Sequence, residues 1–520
     1  GHHRDIHSFP TRRSSDLDKA TGIYFALPTQ LTSNRIFERM NQFLNNILEA
    51  DQPHRRSLLV HGSASLLEDF ELGEEGGPGG SWFTSTKRGL LAPFAVGTID
   101  QALMAVMNVR HGFVRTFGLA GKVVILDEVH SYDSYTGTLL DNLVKALTEI
   151  HCTVIILSAT LTQDRRSFLL DTETSHEDRY PLVTVRPREG IPQMLATVSP
   201  MDVEVALKLV ADDERAMEEA LGRAEEGQQV LWVENTVAEA QERYKTLASR
   251  AHECGVDCGL LHSRFIKADR QKNERQWVDL YGPSGKAARK SHGRILIGTQ
   301  VVEQSLDIDA DFLITRLCPT DMLIQRIGRL WRHENARPPN ARNEAWILAS
   351  SWEATIANPE NALGKSMFVY SPYVLCRTLK AWENLRSSSI PSQIRNLLEI
   401  TYEEQNETGV LARFKHDLKA RKQKLRGLAL VGLSRGGVTL PERAATRYSE
   451  MDTVEVLLLK QYRKQGTDTV VTFTDGEVLT LPDQPWAKGM PGWRKAAVAI
   501  QLHTVTVSES VAPPAVPEKS

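Results

Sequence analysis

The stretch GKVVILDEVHSYD (121–133) runs four apolar residues straight into an acid pair, Asp127 and Glu128. Adjacent carboxylates can divide labour at a polyphosphate. One holds hydrated magnesium, and the other orients and deprotonates the attacking water. A bare Asp-Glu after a strand is also a common solvated turn, so the pair is informative only in company. That company comes in order along the chain. Ser158, Ala159 and Thr160, in LSAT (157–160), come after the next apolar run. Hydroxyls there can accept and donate at once, linking a nucleotide site to a neighbouring groove. GTQVVEQSLDID (298–309) places Thr299, Gln304 and Asp307 beyond another apolar run. QRIGRLWR (325–332) is the sharpest signal. On a helix turning about 100° per residue, Gln325, Arg329 and Arg332 fall within about 60° of one another. Two guanidiniums aimed together suit the charge that spreads over a γ-phosphate during transfer.

The elements that must position these residues are set by the hydrophobic pattern. From 22 to about 198, short β-branched runs alternate with helical stretches. GIYFALP, SLLVHGS, KVVILDE and CTVIILSAT each predict a buried strand, with helices at 33–50 and 136–151 between them. Such alternation implies a parallel α/β sheet with ligands at the carboxyl ends of its strands. A second alternating block, from about 201 to 350, carries QQVLWVEN, CGLLHSRF, RILIGTQ and DFLITR. Beyond 351 the pattern turns mainly helical and then mixed, with a hairpin expected at 470–481 turning at Asp475-Gly476. The insert EDFELGEEGGPGGS (68–81) reads as a mobile surface loop, and the tail 508–520 as disordered.

Composition narrows the class. At 520 residues the chain is too long for one core. With a net charge of −3, no overall basic field draws it onto nucleic acid, so any such binding must come from local placement of lysine and arginine. Five scattered cysteines make no disulfide framework and favour a reducing interior, hence a cytoplasmic location. The longest apolar runs are strand-length, far short of a membrane span.

DEVH, SAT, GTQ…SLD and QR.GR..R in this order resemble a superfamily-2 helicase. More narrowly, the chain resembles the CRISPR-associated helicase–nuclease of type I systems. That narrower likeness rests on YFALPTQLTSNRIFERM (24–40), KRGLLAPFAVGTIDQALMAVM (87–107), GLAGKVVILDEVHSYD (118–133), ENTVAEAQ (234–241), LLHSRFIKADR (260–270) and GTQVVEQSLDIDADFLI (298–314). It covers almost everything from about 20 to 450. The resemblance implies two tandem RecA-like lobes, 18–198 and 199–350, with linker helices and an accessory domain after them at 351–507. It also implies ATP as cofactor with magnesium held by Asp127, Glu128 as base, and Asp307 near the nucleotide. Gln325, Arg329 and Arg332 would contact the phosphates. Pro28, Thr29 and Gln30, with Gly97, Thr98 and Asp100, would line a single-stranded DNA track in the first lobe. Thr299 and Gln304 would belong to the track or coupling surface of the second. Expected partners are single-stranded DNA, a crRNA-guided surveillance complex that marks the target, and an HD nuclease, fused or separate. ATP would close the lobes and hydrolysis release them, stepping 3′-to-5′.

The resemblance also marks departures. Such helicases carry a glycine-rich phosphate loop, yet no G-x-x-x-x-G-K-[ST] occurs in the chain. Gly364-Lys365-Ser366 is the nearest, with Pro359 in the first glycine position. The loop is expected just upstream of Thr21, where HSFPTRRSSDL (7–17) looks like a translated sequencing adapter; 1–17 is therefore read as foreign and the chain as a fragment inactive alone. His416-Asp417 reads as a solvated helix face. His252, Cys254, Cys258 and His262 do not fit the usual zinc spacings. Two rival readings stay open: another superfamily-2 motor, acting on RNA or in restriction, and a non-hydrolysing module that binds nucleic acid or a partner.

Overall fold

The computed structural model describes residues 20–49, 55–62, 88–129, 133–173, 179–289, 292–304, 306–434, 446–448, 453–483 and 492–513. The adapter-like segment and the 68–81 insert lie outside them. The chain divides into two compact units. The first comprises 1–177, 183–195 and 415–448, and the second 178–182, 196–414 and 449–520.

In the first unit, every sequence-predicted strand forms. Ile23–Leu27, Leu58–Val60, Val123–Leu126 and Thr153–Ile156 join Phe94–Thr98 in one five-stranded sheet. Its order is Leu58–Val60, Phe94–Thr98, Ile23–Leu27, Val123–Leu126, Thr153–Ile156, and every pairing is parallel. The central strands include Ile23–Leu27 and Val123–Leu126. Residues just past their ends therefore sit mid-sheet at the carboxyl edge, where parallel sheets bind ligands. Thr29 starts the helix Gln30–Ile47 with a reciprocal capping box to Thr32. Asp133 caps Ser134–Glu149, its side chain accepting from Thr136 N. Leu139, Leu140, Leu143 and Leu147 of that helix are buried with Tyr24, Ala26, Val124 and Leu126 of the sheet. Leu425 and Ala429 join the same core, from the helix Gly409–Leu433.

The second unit carries a seven-stranded sheet. Its order is Asp257–Leu261, Arg294–Gly298, Gln229–Val233, Phe312–Arg316, Glu344–Leu348, Val203–Val210, Ser387–Ile390. Only Ser387–Ile390 is antiparallel to its neighbour. Gln229–Val233 and Arg294–Gly298 are buried along their whole length, which is why they read as unbroken apolar runs rather than alternating ones. Helices Asp213–Glu225 and Val237–Glu253 pack their apolar stripes on this sheet.

The C-terminal part is mixed, as expected. Asp468–Phe473 and Val478–Leu481 form the antiparallel hairpin, joined by Leu459–Gln465. Thr453–Leu457 pairs with Thr504–Ser508. The tail keeps structure further than expected, through a 3₁₀ turn at Glu509–Val511. The ladder from Thr453 to Ser508 supplies the partners that composition alone did not reveal. Among the described residues no helix is long and apolar enough to cross a membrane, and all five cysteines are free thiols.

Candidate nucleotide site and nucleic-acid track

Asp127 and Glu128 extend the central strand Val123–Leu126 past its hydrogen-bonded end. Asp127 N still donates to Ala26 O at 3.0 Å, while Leu157 N donates to Leu126 O at 2.9 Å from the other side. Both side chains are half-buried. Glu128 N donates to Asp127 Oδ1 at 3.1 Å. Glu128 itself has φ +54°, a left-handed conformation that costs a non-glycine residue about 1–3 kcal/mol. Burial pushes the Asp127 carboxyl above its ordinary value, opposed by the hydrogen bond from Glu128 N. A desolvated carboxylate at a sheet edge recovers that cost by meeting a cation. One carboxylate suits a magnesium ion that keeps several waters and takes its remaining ligands from phosphates. The donor set fits that, and among the described residues no group of three or more His, Cys, Asp or Glu forms a metal cage. Ser158 and Ala159 are half-buried and Thr160 is buried. Thr160 N reaches Ser158 Oγ at 3.4 Å, and the Thr160 hydroxyl is buried without a hydrogen-bond partner.

The residues expected to track a nucleic-acid strand also share this edge. Gly97 pairs with Ala26 and Thr98 with Leu27, so Pro28–Thr29–Gln30 and Asp100 emerge from adjacent strands. Tyr24 Oη donates to Thr98 O at 2.8 Å. A Cβ on Gly97 would lie 2.2 Å from Val60 O and 2.9 Å from Tyr24 Oη, so only glycine fits there. Asp100, in the first turn of Ile99–Leu103, accepts from Thr446 Oγ1 at 2.6 Å and Arg447 Nε at 3.2 Å. Arg447 Nη2 also donates to Pro28 O at 2.5 Å. Arg447 is not a candidate on sequence grounds. It lies 347 residues from Asp100, beyond the reach of any local pattern.

In the second unit the expected helical face is corrected. The helix spans only Thr320–Ile327, with Gly328 as its cap. Arg329 N and Leu330 N close tight turns onto Arg326 O and Ile327 O, and Leu330 then bridges to Ala310. Trp331 is left-handed at φ +47°. Gln325 is therefore helical while Arg329 and Arg332 lie beyond the helix end, and the wheel argument does not apply to them. Buried Asp309 shapes this turn instead. It accepts from Arg332 N at 2.9 Å and Arg337 Nη2 at 2.8 Å. Arg332 Nε then lies 3.1 Å from Asp307 Oδ1, which also meets His333 Nε2 at 2.9 Å. Arg329 Nη1 donates to Leu306 O at 2.8 Å, and its Nη2 to Glu303 O. Asp307, Arg329 and Arg332 are thus gathered at one place. Thr299 is buried, with its N–H on Leu261 O at 3.2 Å. Gln304 ends the helix Val301–Gln304, and its side chain lies outside the described residues.

Sequence reasoning passed over Arg326, although it stands inside the arginine motif. It is fully buried, and it donates to Glu303 Oε1 (2.6 Å), Thr315 Oγ1 (2.7 Å) and Asn235 Oδ1 (2.9 Å). The available signal was charge bookkeeping: one arginine of the motif had an acid, Glu303, within the preceding motif. The decoys have ordinary places. His416 and Asp417 are exposed on a helix. Ser366 accepts from Asn235 Nδ2 at 2.8 Å. His262 stacks on Phe265 with ring centroids 4.2 Å apart, and Cys254 is exposed at a helix end.

Residues 226–335 match the family described as CRISPR-associated nuclease/helicase Cas3, C-terminal. The CRISPR-associated endonuclease/helicase Cas3 of Thermus thermophilus is 34% identical over 467 residues, covering 78% of this chain and 49% of the relative. The chain thus spans about half the length of that relative. The crystal structure of T. fusca Cas3 superposes with a TM-score of 0.79 at 28% identity, over 94% of this chain and 58% of that one. Its ATP complex matches equally well, at a TM-score of 0.79 and 28% identity over 94% and 59% of the two chains. A chain of a pre-nicking CRISPR RNA-guided surveillance complex matches with a TM-score of 0.68 at 25% identity, over 96% of this chain and 59% of that one. The parallel sheets, the ordered motifs and these likenesses lead to one conclusion: over 78% of its length the chain is similar to a CRISPR-associated Cas3 nuclease/helicase, of which it spans about half, and its residues 226–335 carry that family's C-terminal pattern.

Proposed function

We propose that the chain is the motor part of an ATP-dependent single-stranded DNA translocase of CRISPR interference, recruited to DNA marked by a crRNA-guided surveillance complex. The observation that carries this reading is the desolvated Asp127 carboxylate beside Glu128 at the carboxyl end of a central parallel strand. Magnesium and ATP supply the phosphoryl group and its neutralising charge when bound. Asp127 would hold the metal, and Glu128 would take the proton of the attacking water. In the second unit Asp307, Gln325, Arg329 and Arg332 would be the groups suited to phosphates, and in the first Ser158, Ala159 and Thr160 would couple the carboxylate site to the strand. Pro28, Thr29, Gln30, Gly97, Thr98 and Asp100 track the DNA backbone in the first unit, and Thr299 and Gln304 in the second.

Support comes from likeness to Cas3 of T. fusca, solved with ATP, and to the chain from the pre-nicking surveillance complex. Local donors rather than total charge suit a backbone-tracking groove, in keeping with the net charge of −3.

The test is Glu128→Gln in a form of the protein that carries a phosphate-binding loop. Phosphate release stimulated by single-stranded DNA should fall by about 10²-fold or more, while a fluorescent ATP analogue binds within a few-fold of the unmodified protein. Loss of nucleotide binding would mean that Glu128 has another role. Stimulation by RNA in preference to DNA would replace the substrate assignment. The 520-residue chain itself, without a G-x-x-x-x-G-K-[ST] sequence, should turn over ATP negligibly.

A further inference from the structure

An aspartate is a poor lining for a groove that tracks phosphates. Asp100 nevertheless stands beside Pro28 and Thr98 at the edge assigned to the DNA strand, with its side chain 24% exposed. Close like charges repel, and the repulsion grows as the second charge displaces water. The structure places a counter-charge there from a distant part of the chain. Arg447 Nε lies 3.2 Å from Asp100 Oδ1, and Arg447 Nη2 lies 3.4 Å from Asp100 Oδ2. The same Nη2 donates to Pro28 O.

The segment bearing Arg447 is fastened on both sides. Thr446 Oγ1 donates to Asp100 Oδ1 at 2.6 Å, and Thr446 O accepts from Thr136 Oγ1 at 3.2 Å. The Tyr448 ring packs 6.1 Å from Tyr135, centroid to centroid. With its backbone held this way, the Arg447 side chain still keeps 48% of its exposure. A fixed, half-exposed guanidinium over a carboxylate presents an approaching phosphate with little net charge where it would otherwise meet an anion.

We propose that Arg447 is a positioning residue of the single-strand track, which neutralises Asp100 so that the Pro28 turn and the Ile99–Leu103 helix form one surface along which a phosphate backbone can run. The inference rests on the track reading above and assigns that track a residue from the 446–448 segment. An isolated surface pair would matter little. This pair matters because a third charge, the phosphate, arrives beside it.

The test is a double-mutant cycle in the full 520-residue chain, read as affinity for a fluorescein-labelled oligothymidylate by anisotropy at low salt. Arg447→Ala should weaken binding about ten-fold, a coupling ordinary for charges in contact. Asp100→Asn removes the repelling charge and should tighten binding, and Arg447→Ala should cost less than about three-fold in the Asp100→Asn background. Arg447→Lys, which keeps the charge, should stay within about three-fold. An undiminished ten-fold loss in the double variant, or no loss in the single one, overturns the neutralising role. An unmodified chain without measurable affinity sinks the track reading and this inference together. Binding without coupling sinks this inference alone.

Discussion

Glu303 and Arg326 form an ion pair from which water is excluded: Nε lies 2.6 Å from Oε1, and neither side chain has any exposure. The pair locks the helix Val301–Gln304 to the helix Thr320–Ile327. The two motifs expected to handle the nucleotide in the second unit are thereby held as one body. Thr315, Asn235 and the Arg316 carbonyl take three more of the guanidinium's donors.

Removing one partner should therefore be severe. Arg326→Ala leaves a buried carboxylate without its counter-charge and should cost about 3–5 kcal/mol. Glu303→Leu combined with Arg326→Met should recover part of that loss, because no lone charge remains. Urea denaturation of the single and double variants checks it. A double variant as unstable as Arg326→Ala would show that the pair is not the source of the cost.

Asp127 gives a trade-off between stability and binding. Its carboxyl is raised by burial, so the charged form is disfavoured in the folded protein. Asp127→Asn should leave the thermal midpoint unchanged or raise it, while removing magnesium-dependent nucleotide binding. A clear fall in the midpoint would mean that the carboxylate is a structural group.

Lys122 sets a pH dependence. Its ammonium is buried against Leu90 O and Ala92 O, and burial brings its pKa down to about 7. The unfolded chain therefore binds more protons than the folded one between pH ~7 and ~10.4, and stability should rise with pH across that window. The slope is at most about 1.4 kcal/mol per pH unit. Denaturation at pH 7 and 9 should show this rise, and the Lys122→Met variant should lack that component. Parallel profiles for the two proteins would refute it.

Gly97→Ala should push the Phe94–Thr98 strand away from Val60, whose carbonyl a Cβ would overlap at 2.2 Å. The expected destabilisation is about 1–3 kcal/mol, with weaker oligonucleotide binding because Thr98 comes directly after it. A substitution tolerated in both assays would show that the strand pair can part without cost.

Much of the architecture is legible from residue patterns, for reasons that differ by element. Strands buried on both faces, such as Gln229–Val233, announce themselves as apolar runs. Phe94–Thr98 (FAVGT) ends in two small residues inside a longer family-like stretch, so its apolar pattern does not single it out as a strand. The arginine motif is recognisable by its residues but misplaced in geometry. A helical wheel assumes that the helix continues, and here Gly328 ends it. Asp309 escapes notice because its work is to hold the backbone of Arg332, which no side-chain pattern displays. Arg447 is invisible because its partners are brought to it by folding alone.

Leu425 and Ala429 complete a core otherwise built from residues before 153. During synthesis at about 5–20 residues per second, the first sheet must therefore wait tens of seconds for its last apolar staves. Until that helix emerges from the ribosome, Met107 and Tyr135, which lie beside its Gly432, lack part of their cover. Expression fragments cut before that helix should be sticky, and nascent chains at that stage are natural clients of a holdase.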